Sequence, residues 1–301
     1  MVDFRLLGPV ELWHDGQRVE LGHARQRCVL AVLLVEAGQV VPAATLLDRV
    51  WGHEPPDGGL SVLYAYVTRL RKVLARVGVA VTRRSRGYLL DIDPETVDLH
   101  RFQRLIGTAD ATAERPLLDA ALELWRGTPF ADLTSPWLGK VREALLDQRL
   151  SALLDRNEMG LRAGQAAELV TSLRELVAEY PTDERPVGQL MLALYRSGRS
   201  AEAFEQYHFA RRRLASRCGS EPGPYLRDLH HRMLRDDPTL MPGRTVTFPN
   251  GRTALEYTIG RYRQALAIAR ELGDRQLEDS VLHGLVQTRQ ALAERERRPP
   301  Q

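Results

Sequence analysis

Leu60-Ser61-Val62-Leu63-Tyr64-Ala65-Tyr66-Val67-Thr68-Arg69-Leu70-Arg71-Lys72-Val73-Leu74 decides how this chain is read. At about 100° per residue, Leu63, Val67, Leu70 and Leu74 fall on one face of a helix and mark it for a core. Opposite them lie Ser61, Ala65, Thr68, Arg69 and Lys72, with Tyr64 and Arg71 flanking one side. The outer face is small, polar and basic. No carboxylate occurs anywhere from Ser61 to Leu90, although seven basic residues do. The rest of the first hundred residues carries an acidic excess. A local basic stripe on a domain of low net charge is the electrostatic footprint of a nucleic-acid binder.

The surrounding sequence supplies the frame for that helix. Downstream, Val79-Ala80-Val81-Thr82 and Tyr88-Leu89-Leu90-Asp91-Ile92 flank the basic turn Arg83-Arg84-Ser85-Arg86-Gly87, which predicts a hairpin. Upstream, the pattern predicts one helix from about Ala24 to Ala37, with Cys28, Leu30, Ala31, Leu34 and Val35 on its apolar side. A second helix begins at Pro42 and ends at Gly52. Alternating Phe4, Leu6, Val10, Leu12, Val19 and Leu21, with Asp15-Gly16 between them, predict an opening antiparallel hairpin. Hairpin, three helices and hairpin is the order of a winged helix-turn-helix. A helix presenting donors to base edges and cations to phosphates fits the major groove. The candidate DNA-binding residues are Ser61, Tyr64, Thr68, Arg69, Arg71, Lys72, Arg83, Arg84 and Arg86. Thr68 and Arg69 suit base or backbone contact, Arg71 and Lys72 suit phosphates, and the turn arginines suit backbone or minor groove.

Beyond Asp93-Pro94 the pattern is helical to about Arg235. Gly164-Gln165-Ala166-Ala167-Glu168 and Gly198-Arg199-Ser200-Ala201-Glu202 begin similar stretches, and their glycines are 34 residues apart. That period suggests tetratricopeptide-like helical hairpins, with Ala167 and Ala201 expected where paired helices approach. From Asp236 to Gly251, Pro238, Pro242, Gly243, Pro249 and Gly251 read as a linker. Two amphipathic helices are expected beyond it, one around Tyr262 to Leu272 and one from Val281 to Leu292. The fold class is therefore mainly α: a winged helix-turn-helix with small β-hairpins, followed by a tetratricopeptide-like all-helical domain. The expected divisions are 1–96, 97–236 and 237–301, the last a linker with a C-terminal helical hairpin.

Other features narrow the class. No run approaches the roughly 20 apolar residues needed to cross a bilayer, and the N-terminus shows no secretory pattern, so the expectation is a cytoplasmic protein without membrane partners. All but two of the 42 basic residues are arginine, which coding bias explains more simply than function does. Cys28 belongs on an apolar helix face and Cys218 lacks a resolving partner, so neither suggests a disulfide or sensor. His230-His231 would point about 100° apart on a helix, a poor pair of metal ligands. Trp51, Trp125 and Trp137 read as packing residues. Arg211-Arg212-Arg213 could form a second basic patch, though a solvated face is the simpler reading. No constellation suggests catalysis, a cofactor or a metal.

Several stretches, in order along residues 3 to 236, are similar to one family. They are Phe4-Arg5-Leu6-Leu7-Gly8-Pro9-Val10, Gln26-Arg27 with Leu30-Ala31-Val32-Leu33-Leu34, Leu46-Leu47-Asp48-Arg49-Val50-Trp51-Gly52 and Tyr66-Val67-Thr68-Arg69-Leu70-Arg71-Lys72. Gly87-Tyr88-Leu89-Leu90, Val97-Asp98-Leu99-His100-Arg101-Phe102, Leu124-Trp125-Arg126-Gly127, Ala193-Leu194-Tyr195-Arg196-Ser197-Gly198-Arg199 and Glu221-Pro222-Gly223 continue the series. The chain resembles the Streptomyces antibiotic regulatory protein family, which joins an OmpR-type winged helix to a bacterial transcriptional activation domain. The resemblance implies an activator that binds tandem direct repeats in promoter DNA and recruits RNA polymerase; the polymerase sigma and alpha subunits, and a second copy of the chain as a homodimer on DNA, are the candidate contacts of the helical domain. It implies antibiotic or other secondary-metabolite genes as targets. Larger relatives carry an ATPase module, but this sequence has no Gly-x-x-x-x-Gly-Lys-Ser/Thr; Gly139-Lys140 lacks the other elements. Tyr262 to Asp274 is similar to a C-terminal repeat of those relatives. A tetratricopeptide-type interaction or ligand-sensing protein, and a repressor on the same fold, stay open at this point.

Overall fold

The computed structural model of the chain describes residues 1–241, and the expected helices around 262–272 and 281–292 lie outside them. The architecture is mainly helical with two small antiparallel sheets, as the sequence pattern predicts. The chain divides into two compact units at Met159/Gly160.

The first unit opens with β1 (Val2–Arg5), β2 (Glu11–His14) and β3 (Gln17–Val19) in the order β1-β2-β3. Asp15-Gly16 closes the β2–β3 hairpin, so the expected two strands are three. Then come α1 (Ala24–Val35), β4 (Val40–Pro42), α2 (Ala43–Trp51) and α3 (Gly59–Leu74). The second sheet adds β5 (Ala80–Arg84) and β6 (Gly87–Asp91), in the order β4-β6-β5. Strand β4 has no counterpart in the sequence pattern, because three residues ending in a proline give no readable alternation. A Cβ on Gly87 would stand 2.3 Å from the Val41 carbonyl oxygen, so this close pairing of β4 with β6 requires glycine.

Helix α1 differs from its expected one-sided pattern. Every residue from Cys28 to Leu34 is buried. It packs on α2, α3 and β6 at once, which is why its sequence is apolar nearly all round. Burial pushes the Cys28 thiol up to about 11, in keeping with an inert core cysteine. Trp51, Trp125 and Trp137 pack against the same core.

Helices α4 (Asp98–Thr112), α5 (Arg115–Glu123) and most of α6 (Pro136–Arg162) belong to this first unit. Phe102, Leu118, Phe130 and Leu138 join one continuous core with the winged-helix residues. Asp98 joins the two sequence regions. It is fully buried and accepts hydrogen bonds from the Leu6 and Leu7 amides, at 2.7 and 3.1 Å, and from Arg126 Nη2 at 2.6 Å. Burial pushes its carboxyl up, against the pull of these donors.

The second unit contains α7 (Ala166–Glu179), α8 (Glu184–Arg196), α9 (Ser200–Cys218) and α10 (Pro224–Leu234). Gly164 and Gly198 hold left-handed conformations just before α7 and α9, with φ of 83° and 76°, so the 34-residue spacing marks equivalent helix entries. The expected role of Ala167 and Ala201 is corrected: both are exposed. Ala166 and Ala203, near them in sequence, are buried in the core of this unit instead. The expected linker is also corrected at its start. Leu240 is buried on the repeat core, and Arg232 Nε donates to Asp237 at 2.9 Å.

Candidate nucleic-acid interface

Helix α3 is held by Leu63, Val67, Leu70 and Leu74, all essentially buried. Each such side chain stabilises the fold by about 1.5–3 kcal/mol. That anchorage fixes which residues face outward. Ser61, Tyr64, Ala65, Thr68, Arg69 and Lys72 are exposed, as expected from the periodicity. The first turn of α3 holds no acidic residue, and Gly58 leads into it in a left-handed conformation with φ of 66°.

The individual side chains are differently engaged. Thr68 Oγ1 donates to the Tyr64 carbonyl at 2.8 Å, which leaves its oxygen lone pairs available as acceptors. The Arg69 guanidinium lies 5.8 Å from the Tyr66 ring. Tyr66 stacks on Trp51 at 6.0 Å, and His23 meets its edge at 5.1 Å. The sequence pattern did not single out this aromatic support. Tyr66 precedes Arg69 by three residues, so helical spacing carries the signal. Arg71 is half-buried, and its Nε donates to the Val81 carbonyl at 2.8 Å.

The wing is the β5–β6 hairpin with Ser85-Arg86 at its tip, where Ser85 has φ of 47°. Arg83, Arg84 and Arg86 are exposed. Arg83 is paired with Tyr88 and Arg84 with Gly87. Neighbouring residues on a strand point to opposite faces, so Arg83 and Arg84 project to opposite sides of the ribbon. Arg83 is the one on the helix side, 5.9 Å from the Tyr64 ring. Tyr64 in turn meets Tyr88 edge-on at 6.5 Å. Burial, and then Tyr64 beside it, push the Tyr88 phenol up against the pull of Arg83 and Arg71. Among the described residues, none of Arg69, Lys72, Arg83, Arg84 and Arg86 has a carboxylate partner.

Elsewhere the candidate second patch dissolves. Arg211 pairs with Glu221 at 2.7 Å, and Arg213 donates to the carbonyls of Val177 and Pro181. Arg212 lies over exposed Phe209. No group of His, Cys, Asp and Glu among the described residues could hold a metal ion, and no helix there is long and apolar enough to cross a membrane.

Residues 16–90 match the family described as "Transcriptional regulatory protein, C terminal", and residues 97–234 match the bacterial transcriptional activator domain. Regulatory protein DnrI of Streptomyces peucetius is 34% identical over 79% of this chain and 93% of its own length. Transcriptional regulator RedD of Streptomyces coelicolor is 39% identical, over 79% of this chain and 72% of its own. The chain belongs to the Streptomyces antibiotic regulatory protein family. As a member of that family it is a DNA-binding transcriptional regulator, and the winged helix is its DNA-binding part. Regulatory protein AfsR of Streptomyces coelicolor is 39% identical over 90% of this chain, which spans only 28% of AfsR. The solved structure of Mycobacterium tuberculosis EmbR in complex with a low affinity phosphopeptide aligns with a TM-score of 0.74. It is 33% identical and covers 79% of this chain and 66% of that one.

Proposed function

We propose that this family member activates transcription of secondary-metabolite genes, such as an antibiotic cluster, by binding direct repeats in promoter DNA. Helix α3 enters the major groove and the Arg83 to Arg86 wing tracks the adjacent backbone or minor groove. The helical part contacts RNA polymerase, through sigma or alpha, and a second copy of the chain on the tandem site. The observation that carries this reading is the carboxylate-free basic face shared by Arg69, Lys72 and the wing arginines. Phosphate contacts from such a face supply affinity, and base contacts supply specificity.

Genome-wide mapping of bound DNA identifies the operator and its repeat spacing. Gel shift on that operator then tests the face: Arg69→Ala with Lys72→Ala should abolish the shift without altering the helical circular dichroism. A retained shift overturns the reading. In vitro transcription with purified polymerase separates an activator, which raises transcript, from a repressor, which lowers it.

A further inference from the structure

Arg71 stands apart from the other cations of the recognition surface. Its guanidinium does not project from the helix as those of an exposed face do. It is half-buried, its Nε–H is engaged by the Val81 carbonyl at 2.8 Å, and its charge lies 5.6 Å from the Tyr88 ring. Val81 sits in β5 and Tyr88 in β6, so one side chain of α3 engages both strands of the wing. Tyr88 meets Tyr64, and Tyr64 meets Arg83. The chain of contacts thus runs from α3 through the hairpin and back to the exposed edge where helix and wing meet.

The geometry points to Arg71 as a positioning residue that fixes the wing against the recognition helix, rather than as a phosphate ligand. This rests on the reading of α3 and the wing as one DNA-binding face. A helix and a ribbon that must meet successive grooves together gain affinity when their relative placement is set beforehand. Arginine suits the task because its planar fork donates in a fixed direction while its face lies against a ring. Lysine keeps the charge but offers a single flexible ammonium with no Nε–H in that position.

The test is the salt dependence of operator binding by the full chain, for the wild type and for Arg71→Ala, Arg71→Lys, Arg69→Ala and Lys72→Ala. Deleting one phosphate ligand takes about 0.9 from the slope of log affinity against log salt. Lys72→Ala should flatten the slope by that amount. Arg71→Ala should weaken binding by about tenfold, the scale of one charge-assisted hydrogen bond, at an unchanged slope. Arg71→Lys should weaken it similarly, because the charge is kept and the hydrogen bond is removed. Backbone amide exchange in β5 and β6, measured without DNA, should speed up in both Arg71 variants and stay unchanged in Lys72→Ala. A flattened slope in Arg71→Ala, or wild-type affinity in Arg71→Lys, overturns the proposal. If Arg69→Ala and Lys72→Ala change neither affinity nor slope, the DNA-binding face itself fails, while amide exchange still judges the role of Arg71 in the hairpin.

Discussion

The recognition surface and the helical repeats are both rich in cations, but several of the repeats' arginines are neutralised by carboxylates. In the repeats Arg174, Arg185, Arg199, Arg211 and Arg232 each lie 2.6 to 2.9 Å from a carboxylate. On α3 and the wing, Arg69, Lys72, Arg83, Arg84 and Arg86 have no such partner among the described residues. Exposed pairs contribute only about 0–1 kcal/mol each to stability. Their larger consequence is to cancel the field of the surface that carries them. The difference shows that arginine content says little about function in this chain. What distinguishes the proposed DNA-facing surface is the exclusion of acids from Ser61 to Leu90.

Burial provides the sharpest contrast to these exposed pairs. Asp98–Arg126 is also an ion pair, but the carboxylate is fully buried and holds two backbone amides as well. Asp98→Ala leaves those donors stranded and should cost about 3–5 kcal/mol in denaturant unfolding. An effect as small as that of an exposed pair would mean the junction is wet and the contrast false. Next in size, Arg69→Ala with Lys72→Ala should weaken operator binding by about a hundredfold or more, the equivalent of two charge-assisted hydrogen bonds. Arg211→Ala with Arg212→Ala should leave it unchanged. Equal weakening in the two double variants would erase the distinction between the surfaces.

Gly87→Ala tests the frame that carries the wing. A methyl group 2.3 Å from the Val41 oxygen must push β4 away, at a cost of about 1–3 kcal/mol by the usual scale of overpacking. Thermal unfolding should move down accordingly, and unchanged unfolding would show that β4 is dispensable. The smallest effect belongs to the repeats. Glu202→Gln removes the partner of both Arg174 and Arg199 and should leave the thermal unfolding midpoint essentially unchanged.

Acid titration extends the same contrast. At Asp183 and Asp237 burial raises the carboxyl, but hydrogen bonds from Arg185, and from Thr239 and Arg232, outweigh it and leave both below the usual 3.8. A depressed folded value stabilises fully above 3.8, and that stability disappears as pH falls through the lower folded value. Thermal stability should therefore decline from just under pH 4 downward, and less so in Asp183→Asn with Asp237→Asn. A decline of equal size in that variant would remove the carboxylates from the explanation.

Much of this organisation is legible in the residues, for physical reasons. The α3 stripe is readable because one buried face imposes a 3.6-residue period, and Leu63, Val67, Leu70 and Leu74 obey it. The Ser85-Arg86 tip is readable because a short hairpin needs turn chemistry between alternating strands. The all-round burial of α1 is not, since its neighbours on several sides come from distant sequence. Strand β4 escapes notice because it is three residues long and defined by its partner β6. Arg71 reads as a phosphate ligand because charge is visible in sequence, whereas the Val81 carbonyl that occupies its Nε is a tertiary contact. Alignment of the two repeats favours Ala167 and Ala201, but helical phase buries Ala166 and Ala203 instead.

The most direct measurement compares the salt dependence of operator binding for the wild type with two multiple variants. One replaces Arg69, Lys72, Arg83, Arg84 and Arg86 by alanine, and the other replaces Arg174, Arg199 and Arg211. The expected result is a steep wild-type slope, flattened by about 0.9 for each phosphate ligand deleted from the recognition surface and unaltered by the repeat substitutions. A slope that survives the first variant, or flattens equally in the second, would contradict the assignment of DNA binding to the acid-free face of α3 and its wing.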